Sequence, residues 1–197
     1  MSGTFPWYVA RASGLVAWAL LAGSVVWGLL MTSKVVRRRV KNAWLLDLHR
    51  WLGGLALTVT GIHILAIMSD TYVHFGLASV LVPFASHWHP AAVAWGVVSL
   101  YLLAAVELTS LVRRHLNYRL WRRIHLLSFP LFVMSTLHGL TAGTDSVRPM
   151  AIIAVGLVAA AVTFLTIVRV MDQIHRPEKS RSAIPNSRRT ASAVTTG

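Results

Sequence analysis

Apolar residues run through this chain in long stretches separated by short basic ones. Residues 6–31, 91–112, 121–142 and 149–171 are each long and apolar enough to meet the ~20 residues that a ~30 Å hydrocarbon core requires. A fifth stretch, 46–68, is of the same length but contains "HRWLGGLALTVTGIH", with an imidazole at each end. A sixth apolar patch, 75–88, is short and broken by Pro83, which predicts a loop or an interfacial helix. None of these segments sustains the period-2 alternation of a membrane strand. The pattern therefore predicts an all-α integral membrane bundle of five spanning helices, forming one domain over 1–174. The first stretch lacks a basic leader and is too long for a secretion signal, so it reads as a spanning helix. No internal repeat is evident. Residues 175–197 are polar, rich in Ser, Thr and Arg and interrupted by two prolines, and are predicted to be a disordered tail.

Composition agrees with a membrane class. The 197 residues are 55% hydrophobic, with a mean hydropathy of +0.61. Cysteine is absent. That excludes disulfides, Cys-ligated iron–sulfur clusters, thiol catalysis and covalent c-type haem attachment. Any metal would be held by His, Met or carboxylate.

A net charge of +13 would suggest nucleic acid in a soluble protein. Its distribution excludes that here. Of the 19 basic residues, all but Arg11, Arg50 and Arg148 fall in the 32–45 segment, the 113–123 segment, or the end of the last span and tail. In a five-helix bundle these three regions share one side. Positive-inside bias makes that side cytoplasmic. The N-terminus is then external, the C-terminus cytoplasmic, and the chain an integral protein of the plasma (inner) membrane. The basic surface would contact anionic lipid and could also dock an acidic redox partner.

This topology runs the second and fourth spans in the same direction. Both carry two histidines: His49 and His63 in one, His125 and His138 in "HLLSFPLFVMSTLH" of the other. The separations are about 21 and 20 Å along the helix axes. In parallel helices His49 lies level with His125 near the cytoplasmic face, and His63 with His138 near the outer one. Fourteen residues return a helix to within about 40° of the same face, whereas thirteen leave the second ring about 140° away. The fourth span therefore needs a kink or phase reset, and Pro130 lies between its histidines. Facing imidazoles suit bis-histidine ligation of a b-type haem. Gly53, Ser128 and Ser135, near these histidines, would leave room for a porphyrin. The alternative is a non-haem metal or proton transporter using the same imidazoles as transient ligands.

The paired histidines in the second and fourth spans resemble the ferric reductase-like transmembrane domain, the superfamily of the NADPH oxidase membrane domain, ferric reductases and the haem subunit of a bacterial methionine sulfoxide reductase system. The likeness covers roughly residues 5–172. It implies that His49 and His125 ligate an inner haem b, His63 and His138 an outer one, and that electrons cross the membrane one at a time. "ARASG" (10–14) is also similar to the oxidases and places Arg11 by the outer haem, where a propionate would be its partner. The chain departs from the oxidases at Ile67, where they carry a further His, so superoxide production is not expected. It also shows no Gly-rich nucleotide loop. Flavin, FAD or FMN, is therefore expected only on a partner. The donor would be a cytoplasmic flavin reductase or quinol, and the acceptor an extracytoplasmic molecule or partner reductase. With no nucleophile–base constellation, the chain reads as the haem-binding membrane subunit of an oxidoreductase.

The remaining polar residues have simpler readings. Asp47 is expected in the first turn of its helix, complementing the dipole and nearby arginines. Glu107 is expected to pair with a loop arginine. His74, His87 and His89 are outer-loop residues that could gather a metal ion. Trp7, Trp44, Trp88 and Trp121 fit an aromatic belt.

Overall fold

The computed structural model describes residues 5–32, 42–70, 75–143 and 149–174. The described residues contain no strand. The helices are α1 (Phe5–Thr32), α2 (Asn42–Met68), α3 (Leu77–Leu81), α4 (Pro90–Leu111), α5 (Tyr118–His125), α6 (Ser128–Ala142) and α7 (Pro149–Ile174), with a 3₁₀ turn at Arg113–His115. Five helical stretches are long and apolar enough to cross a membrane: Phe5–Met31, Ala43–Met68, Pro90–Leu111, Tyr118–Ala142 and Ile152–Met171. These are the five expected spans, with ends moved by a few residues. The patch at 75–88 holds the single short helix α3. The basic residues of 33–41, His74, Arg148 and the 175–197 tail lie outside the described residues.

Large apolar side chains cover the outside. On α7 alone, Met150, Ile152, Ile153, Leu157, Phe164 and Ile167 are exposed. In water this surface would collapse or aggregate. Against lipid it costs nothing, and helices satisfy their backbone groups internally. Association inside the bundle then rests on close packing and a few hydrogen bonds between helices.

α1 is the hub. Its Ala22, Val25 and Leu29 pack with Phe132 of α6 and Val162 of α7. Its Leu21 meets Leu103 of α4 and Leu131 of α6. Trp18 Nε1 donates to Thr136 Oγ1 across to α6 at 2.9 Å, and Trp27 Nε1 donates to the Leu45 carbonyl of α2 at 3.0 Å. α1 and α2 form one close antiparallel pair, and α4 packs against α6 and α5 as a second.

The fourth span is two helices joined end to end. Leu126 and Leu127 separate α5 from α6, with ψ of −17° and −9°. Leu127 N–H donates back three residues to Ile124, and Phe129 N–H donates to Leu126, before the four-residue pattern resumes from Leu131 to Leu127. Pro130 explains the site. It has no N–H to offer the Leu126 carbonyl, so Phe129 takes that acceptor instead. A tighter 3₁₀ step winds faster than an α-turn, advancing the helix phase. The step turns the phase in the direction that a thirteen-residue spacing requires, and it lies at Leu126–Leu127, on the N-terminal side of Pro130.

Candidate functional site

The break brings all four histidines into two facing pairs. His49 of α2 and His125 of α5 have ring centroids 5.9 Å apart, with planes at 78°. His63 of α2 and His138 of α6 have centroids 6.4 Å apart, with planes at 80°. α2 and the fourth span are therefore parallel and in the same register. All four rings are half-buried.

The rings are seated in notches, a feature absent from the reading of side chains alone. A Cβ built on Gly14 of α1 would lie 3.0 Å from His63 Cε1 and Nδ1. One on Gly96 of α4 would lie 2.8 Å from the same atoms of His138. One on Gly28 of α1 would lie 3.2 Å from His49 Cε1. Missing side chains let the rings reach a neighbouring helix backbone. The rings of His63 and His138, the level expected on the outer side as His49 and His125 are on the inner, each meet the carbonyl four residues before their glycine. His63 Nδ1 is 2.7 Å from Ala10 O, and His138 Nδ1 is 2.8 Å from Ala92 O. A carbonyl can only accept, so both Nδ1 atoms carry the proton. Neutral imidazole then keeps its Nε2 lone pair free for a metal.

The inner level is built differently. His49 Nδ1 approaches Ser24 Oγ at 3.3 Å, again four residues before the notch glycine. His125 has no notch. Its Nδ1 is buried without a hydrogen-bond partner. Its ring stacks on Trp121, one turn earlier in α5, at 5.0 Å and 21°, and the Arg113 guanidinium lies over that indole at 4.2 Å. Trp121, expected in the aromatic belt, is half-buried against His125.

Arg11 follows Ala10, whose carbonyl holds His63, so its backbone lies at the outer level. Its guanidinium also lies over the Trp7 ring at 5.1 Å. Two expectations need correcting. Gly53 does not leave open space, because the Glu107 carboxylate of α4 fills it. Glu107 therefore lies against α2, and the arginines of the 33–41 segment, its expected partners among others, lie outside the described residues. Asp47 is beyond the first turn, since α2 begins at Asn42; it faces Arg50 at 3.7 Å, both exposed. His89 meets Trp88 edge-on at 4.5 Å and 85°, and the described residues contain no cluster of three potential metal ligands.

A metal between facing imidazoles sets a definite spacing. With metal–nitrogen bonds of about 2.0–2.1 Å on each side, ring centroids fall about 6.3 Å apart. The two pairs, at 5.9 and 6.4 Å, fit one iron each. The family model described as "Ferric reductase like transmembrane component" matches residues 13–136, more than half of the chain.

The chain belongs to the ferric reductase-like transmembrane family. As a member it is a multi-pass membrane protein. The family stretch contains His49, His63, His125 and the notch glycines, and stops two residues short of His138. No curated protein and no solved structure matches the chain. Sequence reasoning missed Ala10, Gly14, Ser24, Gly28, Ala92, Gly96, Arg113 and Trp121. One signal was available: Gly14 and Gly28 repeat the fourteen-residue spacing of His49 and His63 on the antiparallel partner helix.

Proposed function

We propose that this protein binds two b-type haems and links a cytoplasmic electron donor to an extracytoplasmic acceptor across the membrane. The carrying observation is the pair of facing imidazole couples at spacings suited to one iron each. Haem at these sites supplies one-electron redox chemistry. His49 and His125 would hold the inner group, and His63 and His138 the outer one. The Ala10 and Ala92 carbonyls hold the outer ligands in the tautomer that presents Nε2. Arg11 would offset a propionate charge at the outer level. The donor would be a flavoprotein carrying FAD or FMN, or a membrane quinol. The acceptor would be a small extracytoplasmic molecule or a partner reductase. The N-terminus would face outside and the C-terminus the cytoplasm, in the plasma (inner) membrane.

Fixed, hydrogen-bonded imidazoles support a resident cofactor over a carrier whose ligands must release their metal. The test is the spectrum of detergent-purified protein expressed with ample haem. A Soret band, with sharp α and β bands on dithionite reduction and two haems per chain, supports the reading. A colourless preparation overturns it.

A further inference from the structure

Three of the four proposed ligands share one device, and the fourth lacks it. His63, His138 and His49 each sit in a glycine notch with Nδ1 facing an oxygen of the residue four positions before that glycine. The α4 residue fourteen positions after Gly96, by analogy with Gly14 and Gly28 in α1, is Ser110. Its Oγ is buried and unpartnered, as are His125 Nδ1 and Trp121 Nε1. Among the described residues, no notch or acceptor therefore orients the His125 ring. What touches its face is Trp121, and Trp121 in turn meets the Arg113 guanidinium at 4.2 Å and the Tyr118 ring at 5.8 Å.

We propose that Trp121, capped by Arg113, is the positioning residue for His125 and sets the inner haem apart electronically from the outer one. This rests on the two-haem reading above. Ring stacking fixes the plane of the imidazole, as the backbone carbonyls do for the outer pair. It does so without adding electron density. A hydrogen bond from Nδ1–H to an acceptor makes an imidazole a stronger donor to its metal, which favours ferric iron. His125 lacks that bond and lies under an indole that shields it from water. A cation stands at the end of the stack. All three features favour the ferrous state at the inner level.

The experiment is a redox titration of the haem-loaded protein, with low-temperature EPR of the ferric form. The outer haem serves as an internal control for folding. In Trp121→Leu the ring is freed and water reaches Nδ1. The inner midpoint should fall by about tenfold in the reduced-to-oxidised ratio, ~59 mV for one electron. The inner low-spin signal should broaden or be lost, with the outer one unchanged. Trp121→Phe retains a stacking face and should keep the inner signal. Arg113→Gln changes an exposed residue and should lower the inner midpoint by about threefold in the same ratio, leaving the outer one unmoved.

Loss of the inner haem alone in Trp121→Leu also supports the assignment. If that variant loses both haems, Arg113→Gln decides, and an unmoved inner midpoint overturns the proposal. Two haems with unchanged inner midpoint and signal in Trp121→Leu, or equal shifts at both levels, overturn it as well. A colourless wild-type protein would overturn the two-haem reading and this proposal with it.

Discussion

The outer and inner histidine pairs have nearly the same spacing but are supported by different kinds of structure. The outer pair is held by main chain: Ala10 and Ala92 carbonyls accept from His63 and His138, and Gly14 and Gly96 let the rings approach. The inner pair is held by side chains: Ser24 beside His49, and the Trp121–Arg113 stack beside His125. A main-chain acceptor within a helix is rigid and cannot be substituted away. A hydroxyl at 3.3 Å or an aromatic stack is weaker and more adjustable. The outer level is thus built for fixed ligation, and the inner level leaves its ligands open to tuning.

The largest test of this contrast removes the ligands. His49→Ala and His125→Ala should each abolish the same spectral species, and His63→Ala and His138→Ala the other, because removing either partner opens the same iron. If His49→Ala and His138→Ala remove one species in common, the level matching is wrong.

Next come the notches. Gly96→Ala and Gly14→Ala place a methyl at 2.8 and 3.0 Å from ring atoms, on backbone that cannot retreat easily. Overpacking of this kind costs about 1–3 kcal/mol. Each should weaken outer haem retention, measured as haem per chain after dilution. Gly28→Ala meets His49 at 3.2 Å and should weaken the inner haem by less. An inner loss greater than the outer would reverse the comparison.

Arg11 sharpens the contrast through charge. If it compensates an outer propionate, Arg11→Ala should lower the outer midpoint, with about 1–3 kcal/mol as the scale of such a charged hydrogen bond. The inner level, about 20 Å away along the helices, should move much less. Equal or absent shifts in a titration resolving both haems would remove Arg11 from the site. The smallest effect is expected at Ser24. Its replacement by Ala should lower inner haem affinity by about tenfold, the lower end for loss of a group supporting a ligand. An unchanged dissociation rate would mean that His49 does not use that hydroxyl.

Much of this was legible in the chain because membranes make polarity conspicuous. Five apolar runs of spanning length and four intramembrane histidines needed no structure to be noticed. Pro130 pointed to a phase reset, though the reset lies at Leu126–Leu127, because a proline disturbs the carbonyl it fails to bond. The notches were not read. A glycine among Leu and Ala resembles filler, and a carbonyl acceptor has no letter in the sequence. The contact made by Trp121 was not read, because an indole near a membrane boundary is ordinarily assigned to the interface alone; only the coordinates show it lying on an imidazole. The seat of Glu107 beside Gly53 was not read either, because the space a glycine leaves has no letter of its own.

The outer notch also separates where chemistry happens from where it is encoded. Every residue offers a carbonyl, so Ala10 and Ala92 could be exchanged for other small residues without deleting the acceptor. What a mutation can damage is the glycine one helical turn later. The motif is therefore portable: a small residue with glycine four positions on, facing an antiparallel helix that carries a histidine, would make a ready shelf for an imidazole. A designer wanting to seat an imidazole of chosen tautomer inside an apolar bundle could copy it with two positions on one helix and one on the other.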